Sequence, residues 1–124
     1  MEHPHTTQTH HAVPMVERQH RVIEELRARA PRRMAAADLA IRLGVSIRTI
    51  ERDVARLRGA GVPIAVTSGR MGGYAIDARP GLPPLVLTPG EAAALIAAVV
   101  AVGPFASATA RTALDKLVGA LAGP

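Results

Sequence analysis

The chain of 124 residues contains no cysteine and no tryptophan. Without cysteine, disulfides, thiolate metal sites and cysteine nucleophiles are excluded. Tyr74 and Phe105 are the only aromatic residues, so a thick, aromatic-rich core is excluded too. Lysine is reduced to Lys116. The N-terminal run MEHPHTTQTHHAVP has neither a basic start nor an apolar stretch, so it is no secretory signal, and a cytoplasmic location is the expectation. Residues 92–110 carry no charge, but they are alanine-rich and interrupted by Gly103-Pro104, which argues against a membrane span. The glycines at 69, 72 and 73 are not followed by the lysine and Ser/Thr of a phosphate loop, and no GxGxxG opens a helix. No paired carboxylates and no Ser/His/Asp set stand out. At this length most enzyme scaffolds do not fit, so neither catalysis nor a cofactor is expected.

What the chain has instead is an abundance of alanine and arginine. That pairing, with almost no lysine, fits a GC-rich bacterial genome. Leu, Ile, Val and Phe together make up about a quarter of the sequence, enough for a modest core of closely packed helices. The net charge is +5 and the pI about 11.2. The basic character is local: twelve arginines against six acids give +6 over residues 17–74, while residues 1–16 carry −1 and residues 75–124 are neutral. An anionic polymer or an anionic surface is the partner such a segment suits.

Residues 1–14 show neither helical nor strand period and are expected as a disordered tail. Their histidines, His3, His5, His10 and His11, match no closed metal site, and no metal is expected. From Met15 to Ala30, Val16, Val22, Ile23, Leu26 and Ala30 recur at helical spacing, and Pro31 ends the run. A short helix follows over residues 35–43, with Leu39, Ile41 and Leu43 as its apolar positions, a poor N-cap and Gly44 as its stop. Ser46 then caps a third helix over residues 46–60, in which Ile50, Val54 and Leu57 form the inward stripe. Two helices joined by a tight turn at a glycine, the second capped by serine, form the pattern of a helix-turn-helix. Beyond Pro63, Ile64–Thr67 and Tyr74–Ile76 flank a glycine-rich tip and read as a β-hairpin.

The expected fold is therefore mainly α with a small β-hairpin, a winged helix-turn-helix over residues 15–78. A proline-rich connector, residues 79–88, leads to two apolar helices within residues 89–124. Thr88-Pro89-Gly90-Glu91 combines a capping box with proline at the first helical position, and Ser107 caps the last helix. Those two helices, 89–102 and 107–121, are apolar enough to serve as a linker or as a homodimer interface.

The third helix carries the functional signal. At 100° per residue, Val54 and Leu57 lie within about 40° of Ile50, while Arg48, Arg52, Ala55 and Arg56 fall opposite. Arg48, Arg52 and Arg56 stand at i, i+4 and i+8, an arrangement that costs an isolated helix roughly 0.2–0.5 kcal/mol per like-charge neighbour. A row of phosphates and guanine edges reverses that cost, because the arginine fork pairs bidentately with either. Double-stranded DNA is thus the expected partner. Arg48, Thr49 and Arg52 are the candidate base readers, and Ser46, Arg56, Arg70 and Gly72 the candidate contacts to the DNA backbone. A protein-interaction module built on the same winged helix is the alternative, distinguished by its weak response to salt. Asp38, Glu51 and Asp53 are read as local ion-pair partners, Asp53 with Arg56 at i+3.

Several runs, in order, also resemble one known family. They are Arg18-Gln19-His20-Arg21, Ala36-Ala37-Asp38-Leu39-Ala40, Leu43-Gly44-Val45-Ser46, Arg48-Thr49-Ile50-Glu51-Arg52-Asp53-Val54, Gly61-Val62-Pro63-Ile64, Gly69-Arg70-Met71-Gly72-Gly73-Tyr74 and Leu87-Thr88-Pro89-Gly90-Glu91-Ala92. The resemblance, over residues 17–121, is to the winged helix-turn-helix of DeoR-like and WYL-domain transcriptional regulators. It implies base recognition by Arg48, Thr49 and Arg52 and a wing whose Arg70 meets the backbone or the minor groove. Glu51 stands where DeoR repressors usually carry arginine or histidine, so the WYL-type branch is the nearer likeness. That branch implies a ligand-sensing WYL domain after the two linker helices, and none follows in these residues, which leaves the effector unnamed. The chain is accordingly expected to be either a short regulator or a non-autonomous fragment of a larger ligand-sensing one.

Overall fold

The computed structural model describes residues 4–77, 79, 81–103 and 107–124, with side chains from residue 14 onward. Its elements run α1 (Pro4–Arg29), α2 (Ala36–Leu43), α3 (Ile47–Gly59), β1 (Ile64–Thr67), β2 (Gly73–Ile76), α4 (Pro89–Val102) and α5 (Ala108–Ala122). They group into two compact units, residues 18–81 and residues 82–124 with the chain up to Glu17.

In the unit of residues 18–81, helices α1, α2 and α3 close over a core that the hairpin completes. Val22 and Leu26 of α1, Leu39 and Ala40 of α2, Ile50 and Val54 of α3, and Ile64, Tyr74 and Ile76 of the strands are all buried, with Met34 joining them from the α1–α2 connector. Each large aliphatic side chain so buried contributes about 1.5–3 kcal/mol relative to exposure. α2 has no side-chain cap at Ala35 and ends on Gly44, whose φ of 68° and amide bonds to Ala40 and Ile41 close the last turn. Strands β1 and β2 pair antiparallel, Ile64 opposite Ile76 and Val66 opposite Tyr74.

Two expectations are corrected. Residues 4–14, expected as tail, lie within α1, which starts at Pro4 rather than Met15 and continues through Pro14. Extending an existing helix needs no new nucleus and adds a hydrogen bond at each residue other than Pro14, which has no N–H to donate, so the extension requires no apolar period. Ile41, taken as an inward position, is 80% exposed. Two residues past Leu39, it falls on the far side of α2, while Ala36, Leu39, Ala40 and Leu43 share the inner side. The hairpin also has a neighbour that no run of β-prone residues announced. Met34 bridges to Tyr74, donating to its carbonyl at 2.8 Å and accepting from its amide at 2.9 Å.

In the other unit the capping box is formed as the sequence predicts. Glu91 N–H donates to Thr88 Oγ1 at 3.1 Å, and Thr88 N–H donates to Glu91 Oε1 at 2.9 Å. The bond from Thr88 N–H, with a smaller contribution from the Thr88 hydroxyl, holds the Glu91 carboxyl below the usual carboxylate range. Ser107 Oγ caps α5 by accepting from Ala110 N–H at 2.9 Å. α4 and α5 pack on each other, burying Ala92 and Leu114, yet Leu95, Val100, Val118 and Leu121 remain about half exposed. Pro104 and Phe105, at the expected break between these helices, lie outside the described residues.

Candidate nucleic-acid interface

The serine cap sets the start of α3. Ser46 Oγ accepts from Thr49 N–H at 3.1 Å and shares a hydroxyl–hydroxyl bond with Thr49 Oγ1 at 3.0 Å. Ser46 and Thr49, predicted for different roles, are thus joined, and the threonine presents a hydroxyl already oriented by the cap. Along the helix, Ile50, Asp53 and Val54 are buried, while Arg48, Arg52, Ala55 and Arg56 are exposed. This division is the one that the helical turn per residue requires. Among the described residues neither Arg48 nor Arg52 forms an ion pair. These two arginines therefore offer their guanidinium forks to an outside acceptor.

The hairpin tip lies between Thr67 and Gly73. Arg70 is exposed there, and the neighbouring Met71 is 80% exposed. Gly72, expected to approach a DNA backbone, has its amide bonded to Gly69 C=O at 3.0 Å within the tip. A Cβ at Gly72 would stand 2.1 Å from Thr67 O, so the turn itself already requires glycine at this position. At the base of the wing, burial pushes the Tyr74 hydroxyl pKa up, with a smaller contribution from the Glu51 charge.

Asp53 departs from its sequence reading. Its carboxylate is 2% exposed and is held by a partner thirty-five residues upstream. Arg18 Nε donates to Oδ2, Arg18 Nη2 donates to Oδ1 at 3.0 Å, and Gln19 Nε2 donates to Oδ1 at 3.3 Å. The bond to Asp53 raises the Arg18 pKa further above its ordinary value, against a smaller opposing effect of burial. A signal was present in the sequence: three residues past Ile50, Asp53 stands beside the apolar stripe, where a carboxylate needs a partner from another element.

Among the described residues no group of three His, Asp or Glu side chains is placed to hold a metal ion, and the four tail histidines lie outside the described side chains. No helix among the described residues is long and apolar enough to cross a membrane. No solved structure matches the chain. Residues 18–75 match the family model described as an HTH domain, a span that starts at Arg18 and ends inside β2. Residues 18–75 are thus similar to HTH domains, and with the hairpin closed on the helices the fold is a winged helix-turn-helix.

Proposed function

We propose that the protein is a sequence-specific, double-stranded DNA-binding transcriptional regulator. Its α3 enters the major groove, where Arg48, Thr49 and Arg52 read base edges. Ser46, Arg56 and the wing residues Arg70 and Gly72 meet the DNA backbone. The observation that carries the reading is the row of exposed arginines on α3, directly opposite a buried stripe, within a segment that matches an HTH domain. The ordered motifs described above favour a regulator of the DeoR-like or WYL type, acting in a bacterial cytoplasm. The half-exposed Leu95, Val100, Val118 and Leu121 support a homodimer through α4 and α5. A two-fold arrangement then presents two recognition helices about 34 Å apart, one turn of DNA.

The test is selection of bound duplexes from a random pool, repeated at two salt concentrations and followed by sequencing. Enrichment of an inverted repeat, with affinity falling as salt rises at a log–log slope of roughly −0.9 per phosphate contacted, is the expected result. No enrichment with salt-sensitive retention overturns the sequence-specific reading and leaves phosphate binding alone, whereas no retention, or retention that ignores salt, favours a protein partner.

A further inference from the structure

Asp53 is a buried charge on α3, and DNA binding by the opposite face gives it no task. Apolar packing by Ile50, Val54 and Leu57 holds α3 against the core, but area burial has no direction and tolerates small rotations. A carboxylate gripped by a guanidinium fork is directional, since both bonds fail together when the helix turns or slides. Gln19 adds a third donor from the next residue of α1, so the contact resists displacement in more than one direction. Buried ion pairs often add little net stability over apolar replacements, and their best-attested use is to specify one arrangement among several.

From this geometry we infer that Arg18, Gln19 and Asp53 form a positioning clamp that sets the rotation and register of α3 on α1, and so decides how Arg48, Thr49 and Arg52 meet base edges. The clamp lies one residue from Arg52. For a side chain about 6 Å from the helix axis, a rotation of about 20° moves its head by about 2 Å, the difference between a made and a lost hydrogen bond. The consequence for base reading rests on the DNA-binding proposal, while the clamp itself does not.

The experiment therefore has two arms. The double variant Arg18→Met with Asp53→Leu removes the clamp without leaving a buried charge, and Arg18→Lys keeps the charge but loses the fork. Because the chain has no cysteine, spin labels go uniquely onto Ala28→Cys in α1 and Arg58→Cys in α3, both exposed positions. Pulsed electron paramagnetic resonance then gives the α1–α3 distance distribution. The expected result is a broader distribution in the double variant at unchanged helix content, with Arg18→Lys intermediate. In the second arm, the ratio of affinities for a duplex selected by the wild-type chain and for its scrambled version falls about tenfold, the equivalent of roughly 1.4 kcal/mol.

An unchanged distance distribution overturns the clamp whatever DNA does. A broader distribution with an unchanged ratio overturns its part in base reading. If the wild-type chain prefers no duplex over its scrambled version, the DNA reading fails and the distance arm alone judges the clamp. If the double variant does not fold, Arg18→Lys decides both arms by the same criteria.

Discussion

Replacing Gly73 by alanine is the sharpest test of how the wing is attached. A Cβ at this position would stand 2.5 Å from Met34 O, 2.8 Å from Met34 C and 3.1 Å from Ala35 N, all of them backbone atoms. A side chain could swing aside, but Met34 is tied to Tyr74 by two hydrogen bonds at 2.8 and 2.9 Å. Relief requires the α1–α2 connector to retreat by most of an ångström, which breaks or badly stretches both bonds. Each contributes about 1 kcal/mol net, and overpacking of this kind costs about 1–3 kcal/mol where it is only partly relieved. The two descriptions are alternative routes for the same clash, so the expected loss is about 1–3 kcal/mol rather than their sum. For a unit of this size that lowers the melting temperature by about 5–25 °C. Thermal unfolding followed by circular dichroism measures the loss, and hydrogen exchange locates it, with the amides of Met34 and Tyr74 speeding up before those of α3. Gly119→Ala provides the contrast: it sits inside α5 with nothing within 4 Å of a new Cβ, and should gain about 0.5–1 kcal/mol from helix propensity. A loss below about 0.5 kcal/mol for Gly73→Ala, or exchange at Met34 and Tyr74 that stays slow, would refute the argument.

Three further outcomes are expected. Arg52→Ala should cost about 1–3 kcal/mol on the selected site and relax base preference, whereas Arg70→Ala should weaken selected and scrambled duplexes alike and flatten the salt slope by about 1; equal losses on both duplexes for Arg52→Ala contradict its assignment as a reader. The depressed Glu91 carboxyl makes the start of α4 pH-sensitive in one direction: because its folded pKa is lowered, the capping contribution is present above the ordinary carboxylate value and is lost as pH falls through the depressed one. The Thr88 amide, followed by nuclear magnetic resonance, should lose its hydrogen-bonded shift over that acid range, and Glu91→Gln should abolish the dependence; a titration unchanged by Glu91→Gln assigns the effect elsewhere. Val118→Asp, at a half-exposed apolar position of α5, should convert a sedimenting dimer to monomer, and a wild-type chain that is monomeric at tens of micromolar removes the proposed α4–α5 interface.

Local chemistry made much of the molecule readable in advance. Ser46 as the cap of α3, Gly44 as the stop of α2, Pro89 and the Thr88–Glu91 box at the start of α4, and Ser107 before α5 all depend on bonds between residues at most four apart, so the sequence contains both partners of each. The arginine row was legible for the same reason: a fixed turn per residue separates Arg48, Arg52 and Arg56 from Ile50, Val54 and Leu57 before any tertiary contact exists. The hairpin was legible because two short β-prone runs enclose a glycine-rich tip whose turn they must share.

Only the tertiary structure decided the rest. Which way α2 turns its outer side, leaving Ile41 exposed, depends on where α1 and α3 provide cover. The bridge from Met34 to Tyr74 joins distant parts of the chain through backbone groups that every residue carries, so no side-chain pattern marks it. The partner of Asp53 was hidden for a related reason. Its own helix shows that a carboxylate stands beside the apolar stripe, but only the packing of α1 on α3 selects Arg18 and Gln19 over nearer arginines. Local bonds follow from spacing along one chain, whereas long-range bonds follow from which surfaces meet, and that choice is made by burial of the whole core.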